Sequence, residues 1–171
     1  MWPAPRRLGL QDHGHKSIKV PLSDTAYNLY YSGPMDGSRH HGVALALSDQ
    51  ANNALLAWEP VSSHLARVRL RGALFNISII AVYAPTLDAD EVTKDAIYDS
   101  LQAVMDGISP INFVVIAGDF NVRTGTGDAN NRHIAIGDRC SNGERLIDFA
   151  AANRLTVSST RFQHPWRHLV T

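Results

Sequence analysis

From Tyr27 onward, short apolar runs bounded by Gly and Pro alternate with longer polar stretches. Tyr27 to Ser32 is aromatic-rich and stops at Gly33-Pro34, which predicts a strand ending in a turn. In Gly42 to Ser48, Val43, Leu45 and Leu47 alternate with alanines, the pattern of a strand covered on both faces. His64 to Arg71 alternates more sharply. Val68 and Leu70 lie between Arg67, Arg69 and Arg71, behind Leu65, which predicts one apolar face and one solvated arginine stripe. Leu74 to Ala84 carries Phe75, Ile77, Ile79, Ile80 and Val82 and predicts a long strand stopped by Pro85.

A helix is predicted next. Asp88 and Glu91 have capping-box spacing, and Ile97, Leu101, Val104, Met105 and Ile108 follow at helical intervals. Its polar side holds six acids and one lysine between Asp88 and Asp106, as expected of a solvated face. Ile111 to Ala117 is the most hydrophobic run and reads as a buried central strand. Asp119 to Asn142 is polar and contains glycines, so it reads as a long loop, a feature that is often functional in a compact domain. Ser141 and Glu144 repeat the capping-box spacing ahead of a short helix with Leu146, Phe149 and Ala150 on one face. Leu155 to Ser158 and Arg161 to His164 read as two further short strands. Residues 1–16, with Pro3, Pro5 and Arg6-Arg7, show no sustained period and read as an irregular segment before a single domain over 17–171.

Composition narrows the function classes. At 171 residues the chain can bury a real core. Sixteen Lys and Arg balance sixteen Asp and Glu, so any nucleic-acid contact would depend on a local patch rather than on net charge. With 44% hydrophobic residues, disorder is not indicated. Cys140 is the only cysteine, which excludes an internal disulfide framework and a Cys-rich zinc site. No apolar run reaches the roughly eighteen residues of a membrane span, and Met-Trp-Pro-Ala-Pro-Arg-Arg lacks the apolar core of a signal peptide. The expectation is an intracellular chain, nuclear or cytoplasmic, neither secreted nor membrane-spanning.

The sharpest chemistry is in Val114-Val115-Ile116-Ala117-Gly118-Asp119-Phe120-Asn121. A strand delivers an acid and an amide, two residues apart, to the point where it opens into a loop. Such residues point the same way on extended chain. A carboxylate with an amide oxygen suits a hard cation or a phosphate rather than zinc. The competing reading is a strand end closed by an Asx turn. Tyr83, in Ala81-Val82-Tyr83-Ala84-Pro85-Thr86, ends another apolar strand, where its hydroxyl could donate to a phosphate oxygen or its ring could line the sheet rim. Arg123 follows Asn121 and could face a phosphate.

Strand-Val-Tyr-Ala-Pro-Thr, an acidic helix and strand-Gly-Asp-Phe-Asn, in that order, resemble the endonuclease/exonuclease/phosphatase family. The closer resemblance is to non-LTR retrotransposon endonuclease domains and to the related craniofacial-development-protein-2-like sequences. Tyr30-Tyr31-Ser32-Gly33, His41-Gly42-Val43-Ala44, Asn142-Gly143-Glu144-Arg145-Leu146 with Phe149-Ala150, Ser158 to Pro165 and His168-Leu169-Val170-Thr171 match further segments, so the resemblance spans residues 17–171. It implies a partial four-layer α/β/β/α sandwich of mixed α/β (α+β) class and Mg²⁺-dependent (or Mn²⁺-dependent) cleavage of phosphodiesters, with DNA as partner. By that analogy Asp119 orients or activates water, Asn121 holds a phosphate oxygen and Tyr83 contacts the phosphate. Arg123 and Asn142 are secondary candidates for binding substrate, and Asp12 stands nearest to the family's metal-binding Glu.

The family's Ile-Asp strand and final Asp-His pair, which holds the general base, have no counterpart in these residues. Negligible nuclease activity is therefore expected of them alone, together with self-association through uncovered sheet edges. The alternatives are a noncatalytic binding remnant of the same fold and a phosphatase of the same family.

Overall fold

The computed structural model describes residues 13–19, 26–33, 42–125 and 138–158. Their elements run β1 His13–Lys19, β2 Ala26–Ser32, β3 Val43–Ser48, α1 Asp49–Asn53, β4 Leu55–Ser62, β5 Leu65–Leu70, β6 Ile77–Tyr83, α2 Glu91–Asp106, β7 Phe113–Asp119 and α3 Ser141–Ala152. Asp12, the strand expected from Arg161 to His164, and His168 lie outside the described residues. The chain divides into two compact units. One is Met1–Tyr83 with Ala103–Gly118, and the other is Ala84–Gln102 with Asp119–Thr171.

The first unit is built on two sheets, ordered β1-β2-β3 and β4-β5-β6-β7. β1, β2 and β3 pair antiparallel, as do β4, β5 and β6. The sheets share an apolar core. Tyr30 and Leu47 of the first pack with Val68 and Leu70 of the second, and Val43 packs with Ala66 and Ala81. Residues two apart on a strand share a face, so Ala66, Val68 and Leu70 carry the core side of β5. Across the sheets, the Ser32 hydroxyl donates to Ser62 O at 2.6 Å.

β6 and β7 run parallel. The Phe113 N–H donates to Asn76 O at one end, and the Ala84 N–H donates to Asp119 O at the other. Gly118 has φ +154°, and a Cβ there would collide with the Val82 carbonyl, so only glycine allows this approach just before Asp119.

The second unit pairs the two longer helices. The Tyr98 and Phe149 rings lie 5.9 Å apart, Gln102 and Asn153 exchange amide hydrogen bonds, and Arg145 forms ion pairs with Glu91 and Asp95. The acidic side of α2 is thus partly an interhelical surface. Its lysine, Lys94, is buried and donates to Leu87 O and Glu91, which secures the loop before the helix. No helix among the described residues is long and apolar enough to cross a membrane.

Several expectations change. A strand begins at His13, inside the stretch expected to be irregular, and it forms by pairing with β2 at seven positions. β3 is covered on one face only, because Ala44 and Ala46 are exposed. Arg67 does not belong to a solvated stripe. Its side chain is 11% exposed and forms an ion pair with Glu59. β6 starts at Ile77, and Leu74 and Phe75 lie before it, exposed. α2 is capped by Asp90, whose carboxylate accepts from the Thr93 N–H and hydroxyl, and not by Asp88. The N-cap of α3 is Cys140, one residue before the expected serine. Leu155 to Ser158 is not a strand. Among the described residues β7 is the last strand of its sheet, paired on one side by β6, and Phe113 is 61% exposed.

Candidate functional site

β7 ends on Asp119, where the chain opens into the loop that carries Asn121. Asp119 Oδ1 accepts from the Asn121 N–H at 2.9 Å, which closes the Asx turn weighed from the sequence. That turn holds Asn121 in the left-handed region at φ 48°, a conformation asparagine tolerates better than most residues. Asn121 Nδ2 then donates to Ala84 O at 2.8 Å, while the Ala84 N–H donates to Asp119 O at 2.8 Å. The Ala-Pro-Thr turn and the Gly-Asp-Phe-Asn turn are therefore bonded to each other twice.

Asn142 adds a second tie. It is 2% exposed, and its Nδ2 donates to Pro85 O at 3.1 Å and Asn121 O at 3.3 Å. Its Oδ1 is buried and finds no hydrogen-bond partner among the described residues. The residue after it, Gly143, lies so close to Arg123 O that a Cβ would overlap it. Asn142-Gly143 thus presses the first turn of α3 onto the 121–124 loop. Asn142, a substrate-binding candidate from the sequence, spends its donors on the backbone of both motif turns.

Arg123 is exposed, and its backbone is fixed from the same direction. Its N–H donates to Cys140 Sγ at 3.1 Å, and its carbonyl accepts from the Cys140 N–H at 3.1 Å. Burial pushes the Cys140 thiol up, but backbone hydrogen bonds from Arg123 and Gly143, the Arg123 charge and the Asn142 N–H together bring it below the ordinary value. This thiol latch carries no sequence signal beyond a lone cysteine.

Tyr83, in the other unit, ends β6 and is half-buried. Its ring lies against the Val43–Ala66–Ala81 cluster and stacks on His64, with centroids 5.7 Å apart and planes 4° from parallel. The Tyr83 N–H donates to His64 O at 2.9 Å, and His64 Nδ1 lies 2.8 Å from Tyr83 O. His64 was not singled out from the sequence, because a histidine at a strand start has no pattern to mark it.

Asp119 and Asn121 offer hard oxygen donors, which suit Mg²⁺. One carboxylate and one amide do not make a closed cage, and Mg²⁺ commonly keeps several waters and shares substrate phosphates. Among the described residues no group of three or more His, Cys, Asp or Glu is placed to hold a metal.

The paired sheets and the helices make an α/β sandwich of the endonuclease-domain type. Its fold matches the solved endonuclease domain of TRAS1, a telomere-specific non-LTR retrotransposon, with a TM-score of 0.53 and 17% identity, covering 74% of this chain and 52% of that one. The chain is also similar to craniofacial development protein 2 of Bos taurus, 34% identical over 166 residues, and of Tragulus javanicus, 33% identical. Those alignments cover 96% of this chain but 28% and 29% of the relatives, so the chain spans less than a third of their length. No protein-family model matches.

Proposed function

We propose that the chain belongs to the endonuclease/exonuclease/phosphatase family and carries the phosphate-facing part of a Mg²⁺-dependent phosphodiesterase site of the DNA-endonuclease type, of retrotransposon-like descent. The observation that carries this reading is the double tie between the Asp119–Asn121 turn and Ala84. It fixes a carboxylate and an amide at a strand end, on a fold like that of a retrotransposon endonuclease domain.

Chemically, the Asx turn leaves Asp119 Oδ2 to orient a water or accept its proton. Asn121 Nδ2 carries two hydrogens and gives one to Ala84 O, so the other can meet a phosphate oxygen. Arg123 extends from the same loop as a cation for the backbone of a nucleic acid. A bound Mg²⁺, held by Asp119 and the substrate phosphate, would supply charge stabilisation at phosphorus. Tyr83, held by its stack on His64, is assigned the phosphate contact that the family resemblance implies.

The test is calorimetric titration of the 171-residue chain with Mg²⁺ and a short duplex, alongside nicking of supercoiled plasmid. The expected result is Mg²⁺-dependent duplex binding that Asp119→Ala weakens at least tenfold, with no nicking. Binding unaffected by Asp119→Ala would overturn the site. Robust nicking abolished by Asp119→Ala would keep the site and overturn the expected inactivity. Turnover of soluble phosphomonoesters without duplex binding would shift the assignment to a phosphatase.

A further inference from the structure

β5 and β6 pair antiparallel as far as Leu65 and Val82, the last rung of their register. One step further stand His64 and Tyr83, where the rung is made half by backbone and half by a side chain. The Tyr83 N–H donates to His64 O at 2.9 Å. In an ordinary hydrogen-bonded pair of antiparallel strands, the His64 N–H would return a bond to Tyr83 O. It donates instead to Ser62 Oγ at 3.1 Å, and Tyr83 O takes the imidazole, with Nδ1 at 2.8 Å. A carbonyl oxygen only accepts, so Nδ1 carries the hydrogen, and the neutral ring is the Nδ1–H tautomer. The imidazole replaces the missing backbone bond.

The same bond places the imidazole beside the phenol, in an offset stack with centroids 5.7 Å apart and planes 4° from parallel. Ser62, which takes the His64 N–H, is itself held, because its carbonyl accepts from the hydroxyl of Ser32, 1% exposed. These residues all belong to the first unit. We propose that His64 is a positioning residue for Tyr83: its side chain supplies the last rung of the β5–β6 ladder and thereby sets the orientation of the phenol ring. The functional consequence rests on the reading of Tyr83 as a phosphate contact. A ring at a strand end has several rotamers open to it, and a stack that selects one removes that freedom before substrate arrives.

The donor and the ring face of His64 are separable. Asparagine offers Nδ2 where histidine has Nδ1, so His64→Asn keeps a donor and loses the face, whereas His64→Phe keeps the face and loses the donor. Thermal melts, NMR couplings at Tyr83 Cβ and duplex titration with Mg²⁺, all on the full chain, test the proposal. His64→Asn should melt near wild type with the Tyr83 rotamers averaged. His64→Phe should melt lower with one rotamer kept. Duplex binding should follow the ring and not the melt, weakening about tenfold in Tyr83→Phe, by about as much in His64→Asn and by less in His64→Phe. Combining His64→Asn with Tyr83→Phe should add nothing further. A single Tyr83 rotamer retained in His64→Asn would overturn the proposal, as would binding that ranks with stability. Additive losses in the double variant would make His64 a contact in its own right and overturn it equally. If Tyr83→Phe binds as tightly as wild type, or neither binds, the phosphate contact falls, and the rotamers alone decide whether His64 sets the ring.

Discussion

The side-chain amide of Asn121 donates to the carbonyl oxygen of Ala84 across 2.8 Å. The last residue of Gly-Asp-Phe-Asn thereby holds the first residue of the Ala-Pro-Thr turn, and the two motifs are parts of one bonded structure.

Asn121 has two separable roles, because its backbone is left-handed at φ 48° and its side chain is the bridge. Asn121→Gly removes the bridge and keeps the conformation, whereas Asn121→Ala removes the bridge and strains the turn. The left-handed penalty for a Cβ-bearing residue is roughly 1–2 kcal/mol, so Asn121→Ala should be less stable than Asn121→Gly by about 1 kcal/mol in urea denaturation. Both should lose duplex binding alike. Equal stability of the two variants would show that the turn relaxes out of the left-handed region.

Asn142 is predicted to act through the backbone it clamps. Asn142→Ala leaves Pro85 O and Asn121 O without their donor in a buried place, at a cost of about 2 kcal/mol. Asn142→Asp should be worse, since a buried carboxylate would face two carbonyl oxygens. The order wild type, Ala, Asp in melting temperature checks this. An Asp variant as stable as wild type would mean that the residue lies nearer to solvent than its 2% exposure indicates.

The parts of this structure written in the sequence are those fixed by local chemistry. The isoleucine run of β6 stops at Pro85, the period of Ile97 and Leu101 makes α2, and Asp119 and Asn121 close their turn through contacts two residues apart. The parts that depend on a partner were not legible. β1 has only Ile18 as a large apolar residue and exists through its ladder with β2. The hydrophobicity of β7 records what a strand can pair with, and among the described residues only β6 pairs with it. Asp88 and Asp90 fit a cap almost equally well by spacing, and the choice went to the carboxylate that reaches both Thr93 donors. The Asn142 clamp shows in sequence only as an Asn-Gly pair.

The start of α2 should be acid-sensitive. The hydrogen bond from the Thr93 hydroxyl, then that from its N–H, holds the Asp90 carboxyl below its ordinary 3.8, and Lys94, then Arg145, lowers Glu91 below 4.5. Both pKa values are depressed in the folded chain, so the stabilisation is present above those ordinary values and lost as pH falls through the folded ones. Asp90→Asn should lower the melting temperature by a few degrees at neutral pH. The gap from wild type should close below about pH 3.8, where the native carboxyl also becomes protonated. A gap that persists in acid would assign the effect to shape rather than charge.

Tyr98 should govern the alkaline side. Burial pushes its hydroxyl up to about 12 from an ordinary 10.0, against a downward pull from Arg145 and with a smaller push from Cys140. The ring packs on Phe149 between the helices, and its hydroxyl lies 3.5 Å from Asn142 O, at the back of the Asn142 clamp. A raised folded pKa means that the unfolded chain releases this proton first. The stabilisation is then complete below pH 10 and is lost as pH rises toward about 12. Tyrosinate absorbance should show a late-titrating group that Tyr98→Phe removes. In urea melts, wild type should lose stability relative to Tyr98→Phe between pH 10 and 12, and the two should run parallel below pH 10. Parallel curves across the whole range would mean that Tyr98 ionises as readily folded as unfolded, and that the packing of α2 on α3 leaves its hydroxyl open to water.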